Sequence, residues 1–210
     1  MPATLDLKDS VAADYVKGLY YTLYLNVLNE KGDWAFWLTR ILPMHTGHIT
    51  KLSKFGDGCV KFINHLIDKY AFYKVEVKSL NDNADFSEYA KYYCSDPSMY
   101  TMIFGEKLTS VDREKLLETI LYLELIRRGY AVYMGKGEGF DIQFVAEKDG
   151  KRTYYQVTES INKQYKYDAF IDAYQKLNDG CEKVILTLDK GIKQTLDVRI
   201  KNLIDFLLEK

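Results

Sequence analysis

His45 and His48 stand three residues apart, a spacing that sets both on one face of a helix and suits a metal ion. No Glu completes a His-Glu-x-x-His pattern, so the favoured reading is two polar residues where a loop runs into a helix. Gly135-Lys-Gly-Glu-Gly139 has the look of a phosphate-binding loop. A Walker A loop needs a glycine five positions before its Gly-Lys pair and Ser or Thr after it; here those places hold Tyr130 and Gly137. Gly150-Lys151 fails the same test, with Val145 upstream and Arg152 after. No nucleotide triphosphate site is expected, and residues 135–139 are read as a flexible connection between strands. Cys59, Cys94 and Cys181 are odd in number and far apart, which argues against a disulfide framework or zinc ribbon and fits a reducing cytoplasm.

The elements that must position any site follow from periodicity. Residues 15–28 are apolar nearly all round, with Lys17, Thr22 and Asn26 on one narrow side. If that helix finds no partner within the chain, Tyr15, Tyr20, Tyr21 and Tyr24 form an adhesive patch. Asp33 caps a second apolar segment that stops at Pro43. Residues 46–55 read as a short polar helix, Gly56-Asp57-Gly58 as a turn and residues 59–70 as a third helix. Residues 73–78 and 89–94 read as two strands. Three helices followed by a two-stranded ribbon outline a winged helix. Lys61, Asn64 and His65 on its third helix are the candidate DNA contacts. Asp57, Asp68, Asp82 and Asp85 flank them with charge that repels phosphate.

The second half starts with a helix from residue 111 to Arg127-Arg128, stopped by Gly129. Strands follow at 130–134, 141–147 and 153–158, with Asp149-Gly150 marking a hairpin. A helix at 165–177, a buried strand at 184–188 and a strand turning into a helix at 198–208 complete the chain. The fold class is therefore mixed α/β: a helical, winged-helix-like domain over residues 1–105 and an αβββαβ domain over residues 106–210.

The chain has 210 residues, 47 % of them apolar, with 29 basic and 30 acidic side chains. This composition excludes collagen-like, low-complexity and wholly disordered chains. The two halves are each nearly neutral, so a nucleic-acid surface must be a local patch. No apolar run reaches the roughly 20 residues of a membrane helix. The opening Met-Pro-Ala-Thr-Leu-Asp lacks the pattern of a signal peptide, and no membrane partner is expected.

The αβββαβ order is the core of restriction-endonuclease-like folds. Lys115 to Tyr130, Phe140-Asp-Ile-Gln-Phe-Val-Ala146, Tyr154-Tyr-Gln-Val-Thr158, Val184 to Asp189 and Leu203 to Leu208 resemble the PD-(D/E)xK-type domain behind the P-loop module of prokaryotic AAA-type ATPases. Tyr15-Val-Lys-Gly-Leu-Tyr-Tyr-Thr and Phe72-Tyr-Lys-Val resemble the segment joining that ATPase to the domain. The likeness spans nearly the whole chain but not the ATPase, so ATP hydrolysis does not carry over. The resemblance places the family's helix glutamate at Glu118 and its strand aspartate at Gln143, beside Asp141. It places the Glu-x-Lys pair at Gln156 and Thr158. Such sites hold Mg²⁺ with carboxylates and position hydroxide with lysine. Two neutral amides and a hydroxyl remove that chemistry.

The expectation is thus a pseudo-enzyme without cofactor, binding nucleic acid or a partner protein beside an AAA-type ATPase. Glu118 and Asp141 are read as a structural pair, bonded to backbone or to Thr158. One alternative is a metal-dependent DNase in which Asp141 joins Glu118 around Mg²⁺ and Lys163, Lys166, Asp168 or Asp172 replaces lost groups. Another is a structural unit that assembles as a homo-oligomer through the tyrosines of residues 15–24.

Overall fold

The computed structural model describes residues 50–51, 57–68, 70, 72–80, 84–97, 109–162, 164–177, 179–191 and 197–209. Among them run β1 (Thr50–Lys51), α1 (Asp57–Asp68), β2 (Phe72–Ser79), β3 (Tyr89–Cys94), α2 (Ser110–Arg127), β4 (Ala131–Gly137) and β5 (Phe140–Lys148). β6 (Lys151–Thr158), α3 (Gln164–Gln175), β7 (Glu182–Thr187), β8 (Arg199–Asn202) and α4 (Leu203–Leu208) follow. The eight strands form one mixed sheet in the order β1-β3-β2-β4-β5-β6-β7-β8. β4, β5 and β6 make an antiparallel meander, and β7 and β8 add parallel strands beyond β6. The chain is mixed α/β, as its periodicity predicts. No helix among the described residues is long and apolar enough to cross a membrane.

Alternation along the strands builds a core on each side of the sheet. Phe144, Tyr155, Val157 and Leu186 join Leu117, Leu121 and Leu125 of α2 and Leu203 and Phe206 of α4. Val145, Tyr154 and Ile185 face the other way, against Ala173 and Tyr174 of α3. The Tyr174 hydroxyl donates to the Val184 carbonyl at 2.6 Å and so ties α3 to β7.

α2 carries the site and is fixed at both ends. Thr109 accepts from the Asp112 amide while the Asp112 carboxylate accepts from the Thr109 amide, which satisfies two donors at its start. Its end is set by Gly129 at φ +83°, where a side chain would be strained. Asp149 and Gly150 both take positive φ, as a two-residue hairpin turn requires.

Several expectations change. Thr50 and Lys51, expected within a helix, pair as a strand with Ala90 and Tyr89, so a tertiary partner outweighs the local pattern. Asp57 and Gly58, expected in a turn, open α1. The β2–β3 hairpin forms as expected, yet β2 also runs parallel to β4 through Val77 and Met134. It is therefore the continuation of the central sheet. Gly135 and Gly137 belong to β4 itself, and only Glu138 and Gly139 turn. A Cβ on Gly135 would lie 2.7 Å from a Leu80 methyl, and one on Gly137 would lie 2.1 Å from the Phe140 ring. Close approach explains both glycines better than flexibility does. The expected division near residue 105 and the helices at 15–28 and 34–42 lie outside the described residues.

Candidate functional site

Glu118 faces the sheet from the middle of α2 and is only 3 % exposed. A buried carboxylate needs partners, and four side chains supply them. Lys91 of β3 donates to Oε2 at 3.2 Å, and Tyr93, two residues along the same strand, donates to the same oxygen at 3.2 Å. Lys115, one turn earlier on α2, donates to Oε1 at 3.2 Å, and the Gln143 amide donates there at 3.3 Å. Burial pushes the Glu118 carboxyl up, but the charges of Lys91 and Lys115 outweigh it and hold it below the usual glutamate range. Glu118 is thus an anion clamped between two ammonium groups.

Gln143 reaches Glu118 because β5 is bulged. Between the Tyr133–Val145 and Gly135–Ile142 pairs, β4 contributes Met134 alone while β5 contributes Gln143 and Phe144. Such an extra residue re-aims its side chain. The β5–β6 backbone ladder runs from Lys148–Lys151 to Phe144–Tyr155. Beyond it, side-chain amides take over. Gln143 accepts from the Val157 amide and donates to the Val157 carbonyl at 3.3 Å. Gln156 accepts from the Gln143 amide at 3.4 Å and donates to the Asp141 carbonyl at 3.0 Å. Each glutamine mimics a peptide unit for the opposite strand.

The remaining motif positions have other partners. Asp141 pairs across the hairpin with Lys136 at 2.9 Å, and the expected link to Glu118 is replaced by this pair. Thr158 bonds Glu114 at 3.0 Å, not Glu118. Lys166 of α3 reaches the same Glu114 oxygen and lies 3.4 Å from the Thr158 hydroxyl. An ammonium from α3 therefore stands beside the position that the resemblance gives to a lysine. Asp168 accepts from Gln164 at 2.7 Å, and Asp172 is exposed. Lys163 lies outside the described residues.

Lys91, Lys115, Glu118, Asp141, Gln143 and Gln156 line a cleft of about 630 Å³. It is also lined by Phe140 from the β4–β5 hairpin, by Phe170 and Asp172 of α3 and by Lys176 just past the end of that helix. The donor set does not fit a dication. Mg²⁺ requires several free oxygens in an octahedron, whereas both Glu118 oxygens face ammonium groups and both glutamine oxygens accept backbone amides. Among the described residues, no three His, Cys, Asp or Glu side chains are placed to share a metal ion.

Lys61 and Asn64 are exposed on α1. The side chain of His65 and the residues Tyr15, Tyr20, Tyr21, Tyr24, His45 and His48 lie outside what the structure describes. Sequence reasoning missed Lys91, Tyr93, Lys115 and Lys176. Lys91 had a readable signal, a lone charge among Ala90, Tyr92, Tyr93 and Cys94 in a strand, since a buried lysine implies a carboxylate partner. Lys115 stands one helical turn from Glu118, the spacing of an ion pair.

The chain is 28 % identical over 151 residues to a protein of Haemophilus influenzae (strain ATCC 51907 / DSM 11121 / KW20 / Rd) described as "Uncharacterized protein". The match covers 71 % of this chain and 36 % of that protein, so the chain spans about a third of its relative's length. No protein-family model and no solved structure matches the chain.

Proposed function

We propose that the chain is a catalytically degenerate, restriction-endonuclease-like module that holds nucleic acid without cutting it, accessory to an AAA-type ATPase. The element order supports the fold reading: α2, the β4–β5–β6 meander, α3 and a parallel β7 follow the αβββαβ pattern. α1 with the β2–β3 hairpin supports a winged-helix-like first half merged into the same sheet. One observation carries the loss of catalysis. Glu118, the helix carboxylate that the resemblance marks, is neutralised by Lys91 and Lys115, and the amides at 143 and 156 are bonded to backbone. A hydrolytic dication would have to displace two ammonium groups and unpair two strands.

The test incubates the full chain with single- and double-stranded DNA in Mg²⁺ or Mn²⁺. DNA binding at low salt, no cleavage and no metal-induced rise in Tm are expected. Cleavage that Glu118→Ala abolishes would overturn the reading. That outcome would favour the metal-dependent DNase, for which Lys166 beside Thr158 is the supporting contact.

A further inference from the structure

The cleft is amphipathic. On one side lie the ammonium groups of Lys91 and Lys115, which share a single carboxylate, Glu118. Lys91 is only 4 % exposed, and among the described residues its ammonium is bonded to Glu118. Lys176 also lines the cleft and donates to the Gly139 carbonyl at 3.4 Å. Of the other carboxylates, Asp141 is matched by Lys136, and Asp172 lies one helical turn from Lys176. The same cleft is lined by Phe140 and the half-buried Phe170. A volume of about 630 Å³ is that of a small-molecule site.

A ligand that uses both the charges and the rings of this lining carries an anionic head and a flat apolar body. We infer that this cleft seats one nucleotide unit, its phosphate on Lys115 and Lys91 and its base against Phe170, with no divalent cation. Net of Glu118, the ammonium pair leaves one positive charge where a hydrolytic cleft holds a dication, and it offers no activated water. Phosphate is therefore held and not attacked. An aromatic face accepts any base, so recognition is independent of sequence. The unit is a free mononucleotide or part of a single strand. The inference rests on the non-cutting reading above.

The experiment measures binding of a dye-labelled single-stranded 12-mer to the full chain in EDTA, with AMP and inorganic phosphate as competitors. Binding in EDTA is expected, weakened roughly ten-fold or more by Lys115→Met, since a charge-assisted hydrogen bond to phosphate is lost. Phe170→Ala should weaken the strand and AMP but leave competition by inorganic phosphate unchanged. Competition by AMP assigns the cleft to a free nucleotide as well as to a strand; competition failing for AMP while the strand responds to both variants assigns it to the strand. Circular dichroism and the more exposed Lys176→Gln variant guard against a folding defect. Binding that requires Mg²⁺, or that both Lys115→Met and Phe170→Ala leave unchanged, overturns the assignment. Unchanged binding without cleavage leaves the non-cutting module standing, whereas cleavage in Mn²⁺ removes the reading beneath both.

Discussion

Two carboxylates of α2, one in its middle and one near its C-terminal end, solve the same problem with different chemistry. Glu124, near the C-terminal end, is gripped by Arg127 through both oxygens at 2.7 Å and by Arg128 at 2.6 Å. Arg128 also donates to the Phe206 carbonyl and lies 4.1 Å from the centre of the Phe206 ring. Planar forks, one of them stacked on an aromatic ring, close that end and dock α4 against α2. Glu118, in the middle of the helix, is held instead by two lysines, one of them from a distant strand. An ammonium is a point charge with donors in three directions. Arginine here seals an anion between two helices, whereas lysine neutralises one beside an open cleft. A carboxylate bound by two cations is therefore not by itself a sign of function; what distinguishes the two is what remains on the cations' far side.

Substituting each carboxylate breaks the comparison most sharply. Glu118→Gln leaves Lys91 and Lys115 without their counter-charge and should cost about 3–5 kcal/mol in urea unfolding, as expected when one partner of a buried pair is removed. Adding Lys91→Met should restore part of that loss.

Acid gives the next effect. Burial pushes both carboxyls up, but the neighbouring cations hold each below its ordinary value. Their stabilisation is thus complete above the unfolded value, about 4.3, and lost as pH falls through the lower folded value. Tm recorded from pH 6 to pH 2 should fall below about pH 4, and Glu118→Gln should flatten that fall more than Glu124→Gln does.

Glu124→Gln comes third, at about 1–2 kcal/mol, because Arg128 keeps its carbonyl and ring contacts. Its signature should be faster amide exchange in residues 203–208. Smallest is salt. Arg127 is 66 % exposed, whereas the Lys91 and Glu118 side chains are 5 % and 4 % exposed. Raising sodium chloride to about 0.5 M should weaken the arginine end slightly and leave the lysine clamp unchanged, measured as Tm in the two glutamine variants.

Local features were legible in the sequence and distant ones were not. Gly129 as a helix stop, the Asp149-Gly150 turn and the alternation of β5 and β6 depend on neighbours along the chain, and their patterns are written there. The bulge at Gln143 depends on how β4 and β5 pair, and no residue type announces it. The Lys91–Glu118 pair joins positions 27 apart, so Glu118 was identifiable only as a motif position and its partners were not. Gly135 and Gly137 were misread for a related reason. Their lack of a side chain serves Leu80, Val145 and Phe140, which reach them through the fold. The tyrosine patch of residues 15–24 and the division near residue 105 fall outside the described residues.

The glutamine exchange between β5 and β6 also fixes which side chains these two positions tolerate. A glutamate at 143 can still accept from the Val157 amide but cannot donate to the Val157 carbonyl, and it would press a second anion against Glu118. A glutamate at 156 would likewise strand the Asp141 carbonyl. A single change of either residue to glutamate therefore weakens the sheet. The two amides are written into the backbone's own bonding, so the neutrality of this end of the cleft is a condition of the strand pairing itself.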